Sequence, residues 1–208
     1  MNGILGAAGL VVIGYLLGAL PIGLLVGRLS GGVDPRQHGS GRTGATNVLR
    51  ILGPAAAAAV ALLDLGKGVA AVLLVRWLYQ AGPAGSPEWV AAAAGLAAVI
   101  GHVRSVFIGF TGGRGMATFT GAMLATLPLV VAILLPVFLV VVWRWRFVSL
   151  GSVLVAVLAP VVAGILSLAG QASPAPFALA AGGAAVVTLA HRDNIARLRA
   201  GTERRLGQ

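Results

Sequence analysis

A glycine-rich polar segment, residues 39–50, carries the residue types that could hold an anion. Its three glycines leave the backbone free to turn with its N–H groups exposed. Polar and basic side chains stand among them without any acidic residue, and these are Ser40, Arg42, Thr46, Asn47 and Arg50. Backbone donors beside guanidinium groups are typical of a phosphate site. This first glycine loop lies between two long apolar runs, so we expect it to lie at a membrane surface or line a cavity.

A second glycine loop, residues 109–115, repeats this composition. Gly112, Gly113 and Gly115 offer backbone donors around Arg114, and we expect a helix to begin directly after them, with its first N–H groups free for a ligand. The loop lacks the Gly-Lys-Ser/Thr ending of a Walker motif. Taken alone, it fits a tight interhelical turn equally well, but the pairing of two such loops favours an anion site.

The basic tail begins with His191 and Asn194, which could do chemistry on a hydroxyl group. Imidazole can act as an acid, a base or a hydrogen-bond donor, and an amide can orient a hydroxyl. The plainer interpretation is that a lone histidine caps a span, and it also applies to His38 and His102. Ser149 is similarly either a helix cap or a ligand. No histidine is followed at the fifth position by aspartate, so the His-x4-Asp dyad of common acyl-CoA acyltransferases is absent.

Composition identifies the elements that must position these residues. Of the 208 residues, 58% are hydrophobic and 10% are charged, which predicts an all-α integral membrane protein. We interpret the net charge of +10 as loop arginines facing the cytoplasm and anionic membrane lipid, not nucleic acid. No internal repeat or linker divides the chain, so residues 1–208 are expected to form one polytopic domain. The histidines and carboxylates lack metal-ligand spacing, so no metal is expected.

The apolar runs predict seven transmembrane helices. The runs cover residues 4–27, 51–75, 89–103, 116–142 and 148–190, with a turn over 82–87 and a split at 170–176. We expect 116–142 to break near Pro128 into two short helices, because one crossing would place Arg144 and Arg146 on the opposite face from the other basic loops. Five full spans with a re-entrant hairpin remain the alternative.

The basic residues predict the orientation. The loops around 28–50, 104–114 and 144–146 and the tail from 192 hold all but Lys67 and Arg76 of the fifteen Lys and Arg residues. The positive-inside rule places these loops in the cytoplasm and the N-terminus outside. Asp64 and Lys67 lie three residues apart within a span, which favours a structural ion pair on one helix face.

Three motifs follow one another along the chain: Gly-Ser-Gly-x-x-Gly-Ala-Thr-Asn-Val-Leu-Arg at 39–50, Gly-Gly-Arg-Gly-Met-Ala-Thr at 112–118 and His-Arg-Asp-Asn-Ile at 191–195. Together they resemble the motifs of the bacterial PlsY family, the acyl-phosphate:glycerol-3-phosphate acyltransferases. The resemblance covers nearly the whole chain. Two departures lie in the second motif region, where Arg114 and Thr111 stand at positions that the family fills with lysine.

The resemblance implies transfer of a fatty acyl group from acyl-phosphate to the 1-hydroxyl of glycerol 3-phosphate in a bacterial inner membrane. It implies no cofactor, and an activated donor needs no covalent enzyme intermediate, so positioning and electrostatics can supply catalysis. His191, Asn194 and Ser149 would act at the reacting groups. The residues that would bind the two substrates are Ser40, Thr46, Asn47, Arg50, Gly112, Gly113, Arg114 and Gly115.

Two other functions fit parts of the pattern. A transporter of an organic phosphate would need its site near the membrane midplane between repeats, whereas these residues gather on one face and no repeat is present. An acyl-CoA-dependent acyltransferase would lack the usual His-x4-Asp dyad.

Overall fold

The computed structural model describes residues 2–79 and 86–207, so residues 82–85 of the expected turn lie outside it. Within the described residues the chain forms ten α-helices and no β-strand. The helices are α1 (Asn2–Ala19), α2 (Ile22–Gly31), α3 (Ala45–Leu52), α4 (Pro54–Leu78), α5 (Pro87–Val103), α6 (Met116–Thr126), α7 (Pro128–Trp145), α8 (Val148–Leu168), α9 (Pro174–Ala190) and α10 (Arg192–Arg199).

Among the described residues, four helical segments are long and apolar enough to cross a membrane: Leu5–Gly31, Pro54–Leu78, Pro128–Trp145 and Val148–Leu168. Helices α9 and α10, bent by 60° at their junction, count as a fifth if they form one broken span. Helices α5 and α6 are shorter and also apolar. The all-helical, multi-pass fold is thus confirmed, while the count of seven spans stays a prediction.

The expected break in the 116–142 run is present at Pro128. Helix α6 ends at Thr126 and α7 begins at Pro128, where a proline in the first turn removes no intrahelical hydrogen bond. The two halves are unequal, because α6 has 11 residues whereas α7 has 18 and continues to Trp145. Of the two halves of this run, only α6 is short. The second short apolar helix among the described residues is α5.

Small residues let the helices approach closely. Gly14 and Gly18 of α1 lie against Ala94 and Ala98 of α5, and a methyl group on Gly18 would overlap the Ala98 backbone. Gly68 of α4 meets the backbone of α6 in the same way. Lipid tails are as apolar as the side chains, so moving an apolar side chain from lipid into the helix interface gains little. Close packing of small residues therefore holds such helices together.

The predicted ion pair joins two buried side chains of α4. Lys67 Nζ lies 2.9 Å from Asp64 Oδ1 and also donates to the Leu20 carbonyl at 2.9 Å. That carbonyl lies at the break between α1 and α2, where it also accepts the Ile22 N–H at 2.9 Å, so the lysine connects α4 to this break.

Candidate active site

In the part of the chain that the structure describes, the polar loops line one end of a cavity of about 690 Å³. The sequence-predicted residues that line it are Ser40, Thr46, Asn47, Arg50, Arg114, Gly115, Ser149, His191 and Asn194. They come from four separate stretches of the chain. Gly112 and Gly113, which were also expected at the site, do not line this cavity.

Four helix N-termini open into the charged end of the cavity. The starts of α3, α6, α8 and α10 contribute Ala45, Met116, Val148 and Asn194 to its wall. Among the residues that the structure describes, none of these four starts carries a capping side-chain hydrogen bond. The first N–H groups of each helix lack intrahelical partners and carry a partial positive charge, so their convergence favours anions.

The first glycine loop is held from within by Asn47, which is 2% exposed. Its Oδ1 accepts the Ser40 N–H at 2.9 Å. Its Nδ2 lies 2.8–3.1 Å from the carbonyls of Pro35, His38 and Arg42. Because these contacts occupy the amide, Asn47 shapes the loop and presents Ser40 to the cavity.

The two adjacent glycines of the second loop have a packing role. The Gly113 N–H donates to the His102 carbonyl at 3.1 Å. A methyl group on Gly112 would overlap that same carbonyl, and one on Gly113 would overlap the His102 ring. Only glycine therefore fits at either position, for a reason that differs from the expected presentation of backbone donors to a ligand.

Arg114 extends from this loop to the opposite wall. Its Nη1 donates to the Ala190 carbonyl at 2.7 Å, at the end of α9. Burial, and then the charges of Arg42 and Arg197, lower the pKa of Arg114 to about 10. Arg114 therefore stays protonated at neutral pH and offers a cation in a partly dry site, where it gains from an anionic ligand.

Glu203 links three side chains of the site. Ser149 Oγ donates to its Oε1 at 2.7 Å, Asn194 Nδ2 donates to the same oxygen at 2.5 Å, and Arg197 Nε donates to Oε2 at 2.7 Å. Burial raises the pKa of Glu203, but these hydrogen bonds outweigh it and leave the pKa below its ordinary value. The carboxylate is therefore ionised and fixes the directions of Ser149 and Asn194.

Glu203 also forms an ion pair with Arg197. Sequence reasoning did not identify its contacts with Ser149 and Asn194. One signal was available, because Glu203 is the only acidic residue in the otherwise basic segment 194–208. A lone carboxylate among cations is well placed to be an internal partner.

His191 follows the end of α9 in the turn before α10 and is 3% exposed. Its Nδ1 lies 2.8 Å from the Val187 carbonyl, which can only accept, so Nδ1 carries the proton in the neutral ring. Burial lowers the pKa of His191 to about 4, opposed by the Val187 hydrogen bond and reinforced by Arg114. The ring is thus neutral at pH 7, with the Nε2 lone pair free to accept a hydrogen bond.

The other end of the cavity is apolar. It extends between α6, α7 and α8, where Met123, Leu134, Phe138, Val155 and Ala159 line it. Its charged end is lined by arginines 42, 50, 114, 197 and 204. The cavity can therefore take a molecule with an anionic head and an alkyl tail.

The chain is similar in sequence to proteins of one family. Residues 8–201 match the sequence model of the family described as glycerol-3-phosphate acyltransferase. Curated relatives of that name include one from Synechococcus sp. strain JA-3-3Ab, 49% identical over 196 residues, with 94% of this chain and 91% of the relative covered. Another, from Rubrobacter xylanophilus, is 45% identical over 198 residues, with 95% and 94% covered.

Among solved structures, the chain is similar to the crystal structure of PlsY, an integral membrane glycerol 3-phosphate acyltransferase, in its glycerol 3-phosphate form. The TM-score is 0.85 at 36% identity, and 97% of this chain and 96% of that chain are covered. The lysophosphatidic acid form of PlsY gives a TM-score of 0.84 with the same identity and coverage.

Proposed function

The chain belongs to the glycerol-3-phosphate acyltransferase family, and we propose that it moves a fatty acyl group from an acyl-phosphate to the 1-hydroxyl of glycerol 3-phosphate. The products are lysophosphatidic acid and inorganic phosphate, and the reaction is a first step of phospholipid biosynthesis. The cavity that joins a cationic end to an apolar end carries this proposal. PlsY has been solved in glycerol 3-phosphate and lysophosphatidic acid forms, which are the acceptor and the product of the proposed reaction.

Two phosphate groups must be held at the charged end. Arg50 and Arg114 supply cations there, and the starts of α3 and α6 supply backbone donors. Ser40 and Thr46 add polar groups from the first loop, while Asn47 keeps that loop in shape. Gly115 is the N-cap of α6 at the cavity wall, and Gly112 and Gly113 contribute by supporting the loop that carries Arg114. The acyl tail lies between α6, α7 and α8.

His191, Asn194 and Ser149 act at the acceptor hydroxyl. The Nε2 lone pair of His191 accepts the hydrogen of the 1-hydroxyl and polarises it, while Asn194 and Ser149, fixed by Glu203, orient it. The hydroxyl oxygen bonds to the acyl carbon, and the bond from that carbon to the phosphate oxygen breaks. With its pKa lowered to about 4, His191 is a weaker base than the departing phosphate, which takes the proton.

The protein is an integral membrane protein with several apolar helices. We infer further that it forms one domain in the bacterial inner membrane, with its N-terminus outside and its C-terminus in the cytoplasm. Both glycine loops and the tail contribute to the charged end of the cavity, and the Leu206 N–H donates to the carbonyl of Arg146, which follows the end of α7. The basic loops and the tail thus lie together at one end of the helix bundle, which supports the orientation deduced from the arginines.

The donor test uses the purified protein with glycerol 3-phosphate and either palmitoyl-phosphate or palmitoyl-CoA, each with and without a chelator. We expect lysophosphatidic acid from palmitoyl-phosphate at equal rates in both conditions, because arginines and helix termini can supply the positive charge. Product from palmitoyl-CoA alone would contradict the donor assignment. Activity that returns only with a divalent ion would contradict the assignment of phosphate binding to the protein's own groups.

A further inference from the structure

A buried polar cluster lies directly beneath the second glycine loop. It consists of Asp64 and Lys67 on α4 and His102 on α5, which are 2%, 7% and 7% exposed. Asp64 Oδ1 lies 2.9 Å from Lys67 Nζ and 3.4 Å from His102 Nδ1. Charged side chains inside a membrane domain are costly, and apolar residues could fill the same space more cheaply. The cluster therefore calls for a role beyond filling the bundle.

The second glycine loop rests on His102. The Gly113 N–H donates to the His102 carbonyl at 3.1 Å, and the Gly113 Cα faces the ring so closely that a methyl group there would overlap Nε2. Arg114 is the next residue in the chain, and its guanidinium then reaches the Ala190 carbonyl. The backbone and the ring of His102 thus both contact Gly113, the residue that precedes Arg114.

The ring itself is held by the carboxylate on α4. His102 Nδ1 lies 3.4 Å from Asp64 Oδ1, which is an ion-pair contact and not a hydrogen bond, and Lys67 Nζ lies 2.9 Å from the same oxygen while donating to the Leu20 carbonyl. Asp64 and His102 both line the cavity beside Arg114. A chain of polar contacts therefore leads from the α1–α2 break through α4 and α5 to the loop.

We propose that His102, oriented by Asp64, is the positioning residue that fixes Arg114 for binding of a substrate phosphate. It acts through the backbone of Gly113 and touches no reacting atom. The assignment of the Arg114 site to phosphate rests on the proposed function. The occupant named here is the phosphate group that glycerol 3-phosphate, acyl-phosphate and inorganic phosphate share.

The test is a double-mutant cycle measured by binding of inorganic phosphate to the detergent-solubilised protein and, separately, by kcat/KM. We expect His102→Ala to weaken phosphate binding and to lower kcat/KM by about 10²-fold, since a displacement of about 1 Å can have that effect. In an Arg114→Ala background the same change should have no further effect, because its target is gone. In a Ser149→Ala background it should have its full effect.

Equal losses from His102→Ala in the wild-type and Arg114→Ala backgrounds would overturn the proposal, as would unchanged phosphate affinity. The exposed His38, which lines no part of the cavity, provides the matched control, and His38→Ala should leave both readouts unchanged. The binding cycle is independent of turnover. Coupled binding losses in a protein inactive with palmitoyl-phosphate would therefore refute the proposed reaction and sustain this inference.

Two further variants separate positioning from packing. His102→Asn keeps an N–H that can reach Asp64 and should retain more phosphate affinity than His102→Leu, which fills similar volume without a donor. The reverse order would show that only packing matters. Gly113→Ala, which collides with the ring, should lower phosphate affinity in the wild type and be tolerated beside His102→Ala. A Gly113→Ala defect of equal size in both backgrounds would show that the ring does not set the loop.

Discussion

The neutral state of His191 defines what this residue can do. Its Nδ1 proton is committed to the Val187 carbonyl, and burial lowers its pKa to about 4, so the ring presents only a lone pair to the cavity. An acceptor of this kind polarises a hydroxyl without competing for the phosphate substrates as a cation would. The same residue was identified in the sequence, but its tautomer follows from the Val187 contact and its neutral charge state mainly from burial, both of which only the structure shows.

We expect His191→Ala to lower kcat by roughly 10²–10⁴-fold, because a positioned acid–base or polarising group contributes about that much. Thermal unfolding of the same sample should show that the protein is folded, and His38→Ala serves as the histidine control. Near-normal turnover would mean that His191 only ends helix α9.

Arg114 is one of two positions at which the sequence departs from a lysine of the family, and it keeps the positive charge. We expect Arg114→Ala to lower kcat/KM by about 10²–10³-fold, because it removes a preorganised electrostatic partner of the substrate phosphate. Arg114→Lys should keep much of the activity if the site mainly needs a charge, and Arg50→Lys should be tolerated less well, since Arg50 already matches the family.

The three variants are compared by kcat/KM under the same detergent and salt. A near-wild-type Arg114→Ala enzyme would remove Arg114 from the site. A folded but inactive Arg114→Lys would show that the loop depends on the forked guanidinium, which also donates to the Ala190 carbonyl.

At the scale of helices, the close approach of helices at small residues determines the positions of the loops that follow them. Helix α5 carries His102 at its last turn and lies against α1 along Gly14 and Gly18. A larger side chain at that contact would push α5 outward and move the second loop with it. The position of the second glycine loop at the cavity therefore depends on how closely α1 and α5 pack.

We expect Gly18→Ala to destabilise the protein by about 1–3 kcal/mol, the usual range for overpacking, because the added methyl would overlap the Ala98 backbone. Gly9 in the same helix has open space around it, so Gly9→Ala should be neutral or slightly stabilising as alanine favours helix. The measurement is thermal or denaturant unfolding in matched detergent. Equal effects of the two changes would contradict the packing argument.

For the whole molecule, the basic loops meet at one end of the bundle. Three exposed positions near that end, Gln37, Thr111 and Ala200, and two exposed positions at the other ends of the helices, Ser86 and Gln171, are suited to single cysteines. The chain has no cysteine of its own, so each label reports one position.

We expect an impermeant thiol reagent applied to intact cells to label Ser86→Cys and Gln171→Cys, and to label the other three only after the membrane is opened. The reason is that the positive-inside rule places the arginine-bearing end in the cytoplasm. Labelling of the cysteine at 37, 111 or 200 from outside, without labelling at 86 or 171, would reverse the orientation.

The sequence by itself determined the features that depend on short stretches. Hydropathy over about 20 residues identified the membrane class, Pro128 located the helix break, and nine of the eleven site residues expected from the sequence line the cavity. These signals are local, because helix formation and membrane partition of a segment depend mainly on its own residues.

Only the tertiary structure decided which groups meet. Ser149 and Glu203 are 54 residues apart, and Arg114 and the Ala190 carbonyl are 76 apart. The packing of Gly113 on His102, which removes two predicted glycines from the cavity wall, likewise depends on how α5 and α6 are placed. Such contacts follow from helix packing, and this packing is determined jointly by small residues from distant parts of the chain. No single segment of the sequence therefore specifies which side chains meet.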